Sequence, residues 1–325
     1  MSSDSLQINS MELFPEFLFN VERRVLFDRV NDKSIKIFVE KGGRTKPIIV
    51  NKAIKIGEEL FELFGLWFGD GSKNIGKDKR IFGFTNTEFF LLKRFLRLSK
   101  RCLGLNPLDF RFIVKIPANL NKSQEEIKKE VSKQLRIPEK FITRIEVREG
   151  TNLICVSIIN TSRLLGIFVN SIGDILRTRV LESESFCKAM LRGIIASEGC
   201  IFLKNGKLEE ITIGAKRKSE RNFIRKLLLM LGIQPNKDAC KGGEAVIING
   251  LSNFKRMNEL SLILLHPKKL KRFKEGLKGF KTEAYRKGEG RYLILKLLSV
   301  GPKSREELSR FLNRKVRCIC EIDLI

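Results

Sequence analysis

The sequence predicts an α+β fold in which one helix-and-strand unit is present twice. The predicted elements follow the order helix–strand–strand–helix–strand–helix in both halves of the chain. Polar and apolar residues alternate along the predicted strands, as is typical of antiparallel sheets with one buried face. An apolar segment that ends in an acid and a glycine occurs in each half, at Asp70 and at Glu198. A repeat of this length indicates an internal duplication.

The composition indicates a polyanionic partner. The 325 residues include 63 Lys and Arg against 37 Asp and Glu, which gives a net charge of +26 and a pI of about 10.0. Nucleic acid is the first candidate for such a partner and a membrane surface the second. No apolar run approaches the roughly 20 residues that span a bilayer, and the polar N-terminus has no signal-peptide core. We therefore expect no membrane insertion and a cytoplasmic or nucleoid-associated protein, organellar if the source is eukaryotic.

The scarcity of histidine excludes several classes of site. With His266 as the single histidine, the chain can build neither a serine-protease triad nor a multi-histidine zinc site. The seven cysteines are an odd number without a CxxC pair, so we expect reduced thiols that mostly fill the core. Any catalysis should therefore depend on carboxylates, lysines and a hard metal ion.

The elements of the first half follow from the hydrophobic pattern. Residues 1–55 form an N-terminal extension, with a short helix predicted over Val21–Val30 and a strand over Ser34–Val39. The first repeat, residues 56–172, begins with an apolar helix in which Trp67 and Phe68 are expected to be core residues. Its further elements are predicted at Ile81–Thr85, Glu88–Leu103, Phe110–Ile116, 122–135, Ile142–Val147, Leu153–Ile159 and Ser162–Ile172. Residues 122–135 are predicted to form a charged amphipathic helix that is inserted in the series and expected to be solvated.

The second half repeats the series and then changes character. The second repeat, residues 173–282, is predicted to contain Glu184–Ala196, Cys200–Lys204, Glu210–Gly214, Ser219–Leu231, Ala245–Ile248, Leu251–Leu260 and Pro267–Gly276. His266 is expected to be a helix-start residue. Residues 283–325 are predicted to form a helix, a turn and a second helix that begins at a capping box of Ser304 and Glu307. This segment is similar to the opening of a winged helix-turn-helix, and a small helical cap is the alternative.

The two acids lie at the ends of segments that can pack closely. Small residues four apart, Gly65 and Gly69 in one segment and Gly193 and Ser197 in the other, share one helical face. Each helix is then expected to end at a glycine in a left-handed cap. Asp70 and Glu198 would lie side by side, where the helix dipoles and mutual repulsion disfavour negative charge. A divalent cation removes both penalties, so we predict a shared Mg²⁺ site, with Mn²⁺ as another usable metal.

The segments "LFGLWFGDG" at 63–71 and "LRGIIASEG" at 191–199 resemble the two signature motifs of single-chain LAGLIDADG homing endonucleases. The resemblance covers roughly residues 56–282, including the "HPKK" run at 266–269. It implies a duplicated αββαββα fold whose two antiparallel sheets form a saddle over the DNA major groove. It further implies a monomeric, Mg²⁺-dependent endonuclease of the kind that serves intron homing, which cuts both strands of a long asymmetric site. Carried over by position, the catalytic and metal-binding acids are Asp70 and Glu198.

The same resemblance assigns accessory and DNA-contacting residues. Asn86 falls on a position that is often a polar residue near the metal, and Lys216 and Lys269 are the candidate accessory lysines of the second half. On the strands, the basic residues that alternate with apolar ones should form the face that binds DNA and can read guanine edges. These candidates are Arg80, Arg111, Lys115, Arg144, Arg148, Lys204, Lys207 and Lys216.

Two other functions remain open at this point. A non-cleaving transcriptional regulator is one, because some bacterial regulators fuse a degenerate LAGLIDADG fold to a helix-turn-helix. Those proteins generally lack the acids, and both acids are present here. An RNA maturase that binds intron RNA is the other. A cleavage assay on duplex DNA separates the nuclease from both.

Overall fold

The computed structural model of the chain describes residues 7–14, 17–18, 23–40, 45–71, 81–150, 152–236, 244–280 and 289–312. Helices and antiparallel strands are mixed along the chain, which confirms the predicted α+β class. Within the described ranges, no helix is both long enough and apolar enough to cross a membrane.

The N-terminal extension is built from strands. They are β1 (Gln7–Asn9), β2 (Phe17–Leu18), β3 (Arg23–Arg29), β4 (Ser34–Val39), β5 (Ile48–Asn51) and β6 (Ala53–Lys55). Strands β2 to β5 form an antiparallel sheet in sequence order, and β1 pairs with β6. The predicted strand over Ser34–Val39 is confirmed. The predicted helix over Val21–Val30 is wrong, because the chain from Val25 to Arg29 pairs with β4 and the period-two burial of β4 requires such a partner.

The first repeat contains four helices and four strands within the described residues. They are α1 (Glu58–Asp70), β7 (Phe82–Asn86), α2 (Phe89–Leu103), β8 (Arg111–Pro117), α3 (Gln124–Leu135), β9 (Ile142–Arg148), β10 (Cys155–Asn160) and α4 (Arg163–Arg179). A single described strand separates α1 from α2, so the predicted helix–strand–strand order is not seen here. Residues 72–80 lie outside the described ranges, and Gly71 forms a lone antiparallel bridge with Phe84.

The main sheet has the order β7-β10-β8-β9 and is not purely antiparallel. β7, β10 and β8 pair antiparallel, whereas β8 and β9 run parallel. A parallel pair needs a crossover connection, and α3 provides it. The predicted amphipathic helix is present, and Ile127, Val131 and Leu135 are buried, so the expectation that the helix is solvated holds for its charged face alone. These residues recur every fourth position, so one face of α3 packs into the core while its charged face is exposed.

Aromatic side chains hold one face of this sheet against α2. The ring of Phe95 from α2 stacks on Phe84 of β7 with centroids 5.0 Å apart and also contacts Phe82 and Phe110. All four rings are buried. Since side chains alternate along a strand, the residues between the buried ones point to the opposite face of the sheet.

The second repeat continues with α5 (Glu184–Glu198), β11 (Gly199–Lys204), β12 (Lys207–Gly214), α6 (Lys218–Met230), β13 (Ala245–Asn249), α7 (Leu251–Glu259) and α8 (Pro267–Lys278). The three strands form a sheet in the order β11-β12-β13. Asn205 and Gly206 connect β11 to β12 with φ values of 50° and 73°. Two positive φ values are what a two-residue hairpin turn requires, and Asn-Gly adopts them readily.

Contacts divide the chain into two compact units between Gly199 and Cys200. Helix α5, which opens the second repeat in sequence, therefore belongs to the first unit because it packs on α1. The predicted repeat boundaries describe sequence equivalence and stay a prediction. In the second unit, α9 (Glu289–Ser299) and α10 (Arg305–Phe311) pack through Ile294, Leu308 and Leu312. The predicted capping box of Ser304 and Glu307 is present at the start of α10.

Candidate active site

Two glycines allow α1 and α5 to pack backbone against backbone. A Cβ added to Gly65 would collide with the carbonyl oxygen of Met190, and one added to Gly193 would lie 2.5 Å from the carbonyl oxygen of Glu62 and 2.6 Å from the amide nitrogen of Leu66. Any side chain at either position would force the helices apart. The close approach of α1 and α5 that was predicted from these small residues is therefore present in the structure.

The ends of the two helices meet one turn further along. A Cβ on Gly69 would lie 2.6 Å from Cβ of Ser197 and 3.2 Å from Cγ of Glu198. Ser197 Oγ donates to the carbonyl oxygen of Gly193 at 2.7 Å, within its own helix. Since Asp70 directly follows Gly69, both acids are the last residues of adjoining helices. Each lies at the negative end of a helix dipole, which is an unfavourable place for a carboxylate without a cation.

The glycines that follow the acids do not form left-handed caps, so that prediction is wrong. Gly71 has φ −72° and ψ 139°, and Gly199 has φ −74° and ψ 133°, both extended. Space is the reason for glycine here. A Cβ on Gly71 would collide with the carbonyl oxygen of Trp67, and a Cβ on Gly199 would lie 2.5 Å from that of Ile195. The chain can therefore leave each helix directly after the acid and, at Gly199, enter a strand at once.

Asn86, at the end of β7, is in direct contact with the first acid. Its Nδ2 donates to Asp70 Oδ2 at 2.5 Å, while its Oδ1 accepts the backbone N–H of Glu88 at 2.8 Å. The second bond fixes the orientation of the amide, because only the oxygen can accept from a backbone N–H. Asn86 thus presents a donor to Asp70. The structure brings these two predicted residues together, and their catalytic role stays a prediction.

The Cys155 thiol interacts electrostatically with Asp70, Lys115 and Arg148, and no pattern in the sequence indicated this thiol. Burial raises the pKa of Cys155, the Asp70 carboxylate raises it further, and Lys115 and Arg148 act in the opposite direction. Cys155 pairs with Lys115 across β10 and β8. Only this strand register, which is a tertiary feature, could have placed Cys155 within the electrostatic reach of Asp70. Lys115 and Arg148 bring positive charge to the acid-bearing end of the main sheet.

The predicted DNA-contacting residues of the first repeat share one face of the main sheet. Arg111 and Lys115 are four residues apart on β8, and Arg144 and Arg148 pair with Ile113 and Pro117 on the same face. Glu146 lies between the two arginines of β9 and forms a salt bridge of 3.2 Å with Arg144. This face, opposite to the one that α2 covers, is basic with one embedded acid. Arg80 lies outside the described residues.

The candidates of the second repeat all lie in the second unit. Lys204 and Lys207 flank the β11–β12 hairpin, and Lys204 forms a salt bridge of 3.3 Å with Glu209. Lys216 follows β12, and Arg221 donates to its carbonyl oxygen at 2.7 Å. Lys269 lies in the first turn of α8, where its N–H donates to Nδ1 of His266. His266 is therefore the helix-start residue predicted from the sequence. An accessory role for Lys216 and Lys269 stays a prediction.

The donor set can be compared with the needs of a divalent cation. Within the described ranges, no group of three or more His, Cys, Asp or Glu side chains is placed to hold a metal ion. Asp70 and Glu198 supply two carboxylates at touching helix ends. Mg²⁺ is commonly held by one or two carboxylates together with substrate phosphates and water. The two acids therefore fit a cation whose other ligands come from a phosphodiester and solvent.

Comparisons with known proteins agree with the signature segments. Residues 185–261 match the family model of a LAGLIDADG-like domain, which confirms the resemblance noted in the sequence. A comparison with curated proteins gave no match.

Several solved structures are similar over much of the chain. Full-length DUF199/WhiA from Thermatoga maritima has 13% identity and a TM-score of 0.40, covering 81% of this chain and 87% of its own. The N-terminal LAGLIDADG domain of DUF199/WhiA has 14% identity and a TM-score of 0.38, covering 66% and 86%. I-DmoI in complex with DNA and Mn has 17% identity and a TM-score of 0.32, covering 64% and 96%.

Proposed function

We propose that this chain, which carries a LAGLIDADG-like domain over residues 185–261, is a site-specific endonuclease of double-stranded DNA. The observation that carries the proposal is the pair of acids. Asp70 and Glu198 end two helices that pack together at Gly65, Gly69 and Gly193, which supports a site that both acids share. A protein that only bound DNA would have no use for two carboxylates at an electrostatically unfavourable place.

The charge distribution supports DNA as the substrate. A net charge of +26 favours a polyanion, and the face of the main sheet that carries Lys115 and Arg148 is basic next to the acids. Phosphate contacts from such residues position the duplex, while arginine and lysine in the major groove can read guanine. Because the two halves differ in their acids and their basic residues, we expect one chain to act as a monomer on an asymmetric site.

In the proposed reaction, Asp70 and Glu198 would hold a divalent cation. Mg²⁺ or Mn²⁺ would supply activation of water and neutralisation of the charge on the leaving oxygen. Asn86 orients Asp70 through its fixed amide, so the carboxylate is already placed when the substrate arrives. Lys115 pairs with Cys155, next to the Val156–Asn86 pair, and would add positive charge at this end of the main sheet, where the phosphate charge grows.

A second candidate is a DNA-binding regulator that does not cleave. It is favoured by the helix pair of the second unit, in which α9 and α10 pack through Ile294 and Leu308 around a turn that ends in a capping box. Such a pair suits the opening of a helix-turn-helix. The regulator would bind DNA with the acids playing no part in the interaction.

The test is a selection from a library of random duplexes, carried out once for binding and once for cleavage in Mg²⁺. The endonuclease proposal expects one sequence to be enriched in both selections, with breaks in both strands of that sequence. Enrichment by binding without any break in Mg²⁺ or Mn²⁺ would favour the regulator. No enrichment in either selection would contradict both candidates.

A further inference from the structure

A groove in the first unit joins the N-terminal extension to the main sheet. Its volume is about 680 Å³, and its walls come from β4 and β5 on one side and from the residues around β8 and the end of β10 on the other. Ser162 Oγ donates to the carbonyl oxygen of Lys46 at 3.3 Å, and Asn160 Nδ2 donates to that of Asp109 at 2.9 Å. The first bond joins the two walls of the groove, and the second stabilises the wall formed by the main sheet.

The walls of the groove are positively charged. They include Lys36 and Lys46 from the N-terminal extension and Arg111 and Lys140 from the first repeat. Within the described part of the chain, none of these four side chains forms a salt bridge. Asp109 is the one carboxylate among the residues that line the groove, and it accepts the backbone N–H of Asn106 at 3.0 Å. The groove therefore carries more positive than negative charge.

The groove is continuous with the basic face of the main sheet. Arg111 lines the groove and lies four residues along β8 from Lys115, which is about 13 Å at the usual rise of a strand. That distance corresponds to about four base pairs of duplex DNA, since phosphates repeat about every 3.4 Å along each strand. A duplex lying along the sheet face would therefore reach the groove outside the region near the acids.

We propose that this groove binds the phosphate backbone of DNA that flanks the cleaved region, so that the N-terminal extension lengthens the recognition site on one side. The inference rests on the proposed function. The cations of the groove come from both the N-terminal extension and the first repeat, and they line an open surface. Such an arrangement suits the repeating charges of a polyanion better than one small anion. Lys36 and Lys46 would bind phosphates and not bases, because phosphate contacts position a duplex without reading its sequence.

The test compares two double variants that remove the same amount of charge. Lys36→Gln with Lys46→Gln alters the groove, while Lys129→Gln with Lys133→Gln alters exposed positions of α3, which packs on α2 and away from the basic face. Affinity is measured against salt on the duplex that the binding selection enriches. The groove variant should reduce the slope of log K against log salt by about two, one for each phosphate that is no longer neutralised, and the α3 variant should leave the slope unchanged.

Shortened duplexes locate the interaction on the DNA. With base pairs removed from either end, the difference between wild type and the groove variant should disappear when one particular flank is shortened and persist when the other is. Equal slopes for the two double variants would overturn the proposal, as would a difference that persists on every shortened duplex. Failure of the proposed function is distinguishable, because wild type would then bind no DNA, or would bind it without cleavage.

Discussion

Replacing Gly193 by alanine tests how the two acids are brought together. The new Cβ would lie 2.5 Å from the Glu62 carbonyl oxygen, 2.6 Å from the Leu66 amide nitrogen and 2.7 Å from the Gly65 carbonyl carbon. All three are backbone atoms, which cannot rotate away, so the helices must separate. Overpacking costs about 1–3 kcal/mol, and three simultaneous clashes favour the upper end. Alanine also favours the helix by about 1 kcal/mol over glycine.

The net expectation is a loss of about 2 kcal/mol for Gly193→Ala, which lowers the melting midpoint by about 4–8 °C for a unit of this size. Cleavage should fall as well, because separated helices move the carboxylates apart. Gly173→Ala in α4 is the matched control. Its Cβ would lie 3.3 Å from a side-chain atom of Phe64, which can move, so it should be neutral or stabilising. If both variants melt alike, the close packing of α1 and α5 does not hold the site together.

Three further predictions concern thiols, charge and domain organisation. Cys200 is exposed two residues after Glu198 and should react with a thiol reagent at pH 8 far faster than Cys102. Burial and the Glu59 carboxylate raise the pKa of Cys102 to about 12. Bound DNA should protect Cys200 from the reagent, and labelling that DNA does not change would contradict a duplex at this end of β11. In EDTA, the free energy of unfolding of Asp70→Asn should exceed that of wild type by up to about 1 kcal/mol, because the substitution removes a carboxylate from the negative end of a helix dipole. Mg²⁺ should raise the melting midpoint of wild type more than that of the variant. Equal shifts would exclude a shared metal site. Removal of residues 286–325 should weaken DNA affinity without moving the position of cleavage, since both acids lie upstream; a displaced cut by a folded truncated chain would show the opposite.

Local sequence was enough to predict the helices that carry the acids. Both apolar segments end where a glycine must follow, and α1 and α5 end at Asp70 and Glu198. The reason for those glycines was not predictable locally. Gly71 is required by the position of the Trp67 carbonyl and Gly199 by that of Ile195, and the backbone at both is extended. The spacing of hydrophobic residues predicts which side chains are buried, whereas the backbone conformation directly after a helix depends on how the helix packs.

The errors in the sequence-based fold have physical causes. A helix was predicted over Val21–Val30, because the pairing that makes Arg23–Arg29 a strand depends on β4, which follows later in the chain. The amphipathic character of α3 was predicted from its sequence, but the high charge of the helix hid how completely Ile127 and Val131 are buried. The hydrogen bond from Asn86 to Asp70 joins a strand end to a helix end, so it needed the strand register as well as the family resemblance.

The central claim is that Asp70 and Glu198 form one cleavage centre, and the most direct measurement compares cleavage with binding in single variants. Wild type, Asp70→Asn, Glu198→Gln and the control Glu58→Gln, at the opposite end of α1, are assayed on the selected duplex in Mg²⁺, with affinity measured in parallel. We predict that each variant of the two acids retains affinity but loses double-strand cleavage by on the order of 100-fold or more, because a bound metal contributes several kcal/mol to the transition state. Glu58→Gln should cleave like wild type. Cleavage at the wild-type rate in either Asp70→Asn or Glu198→Gln would contradict the account.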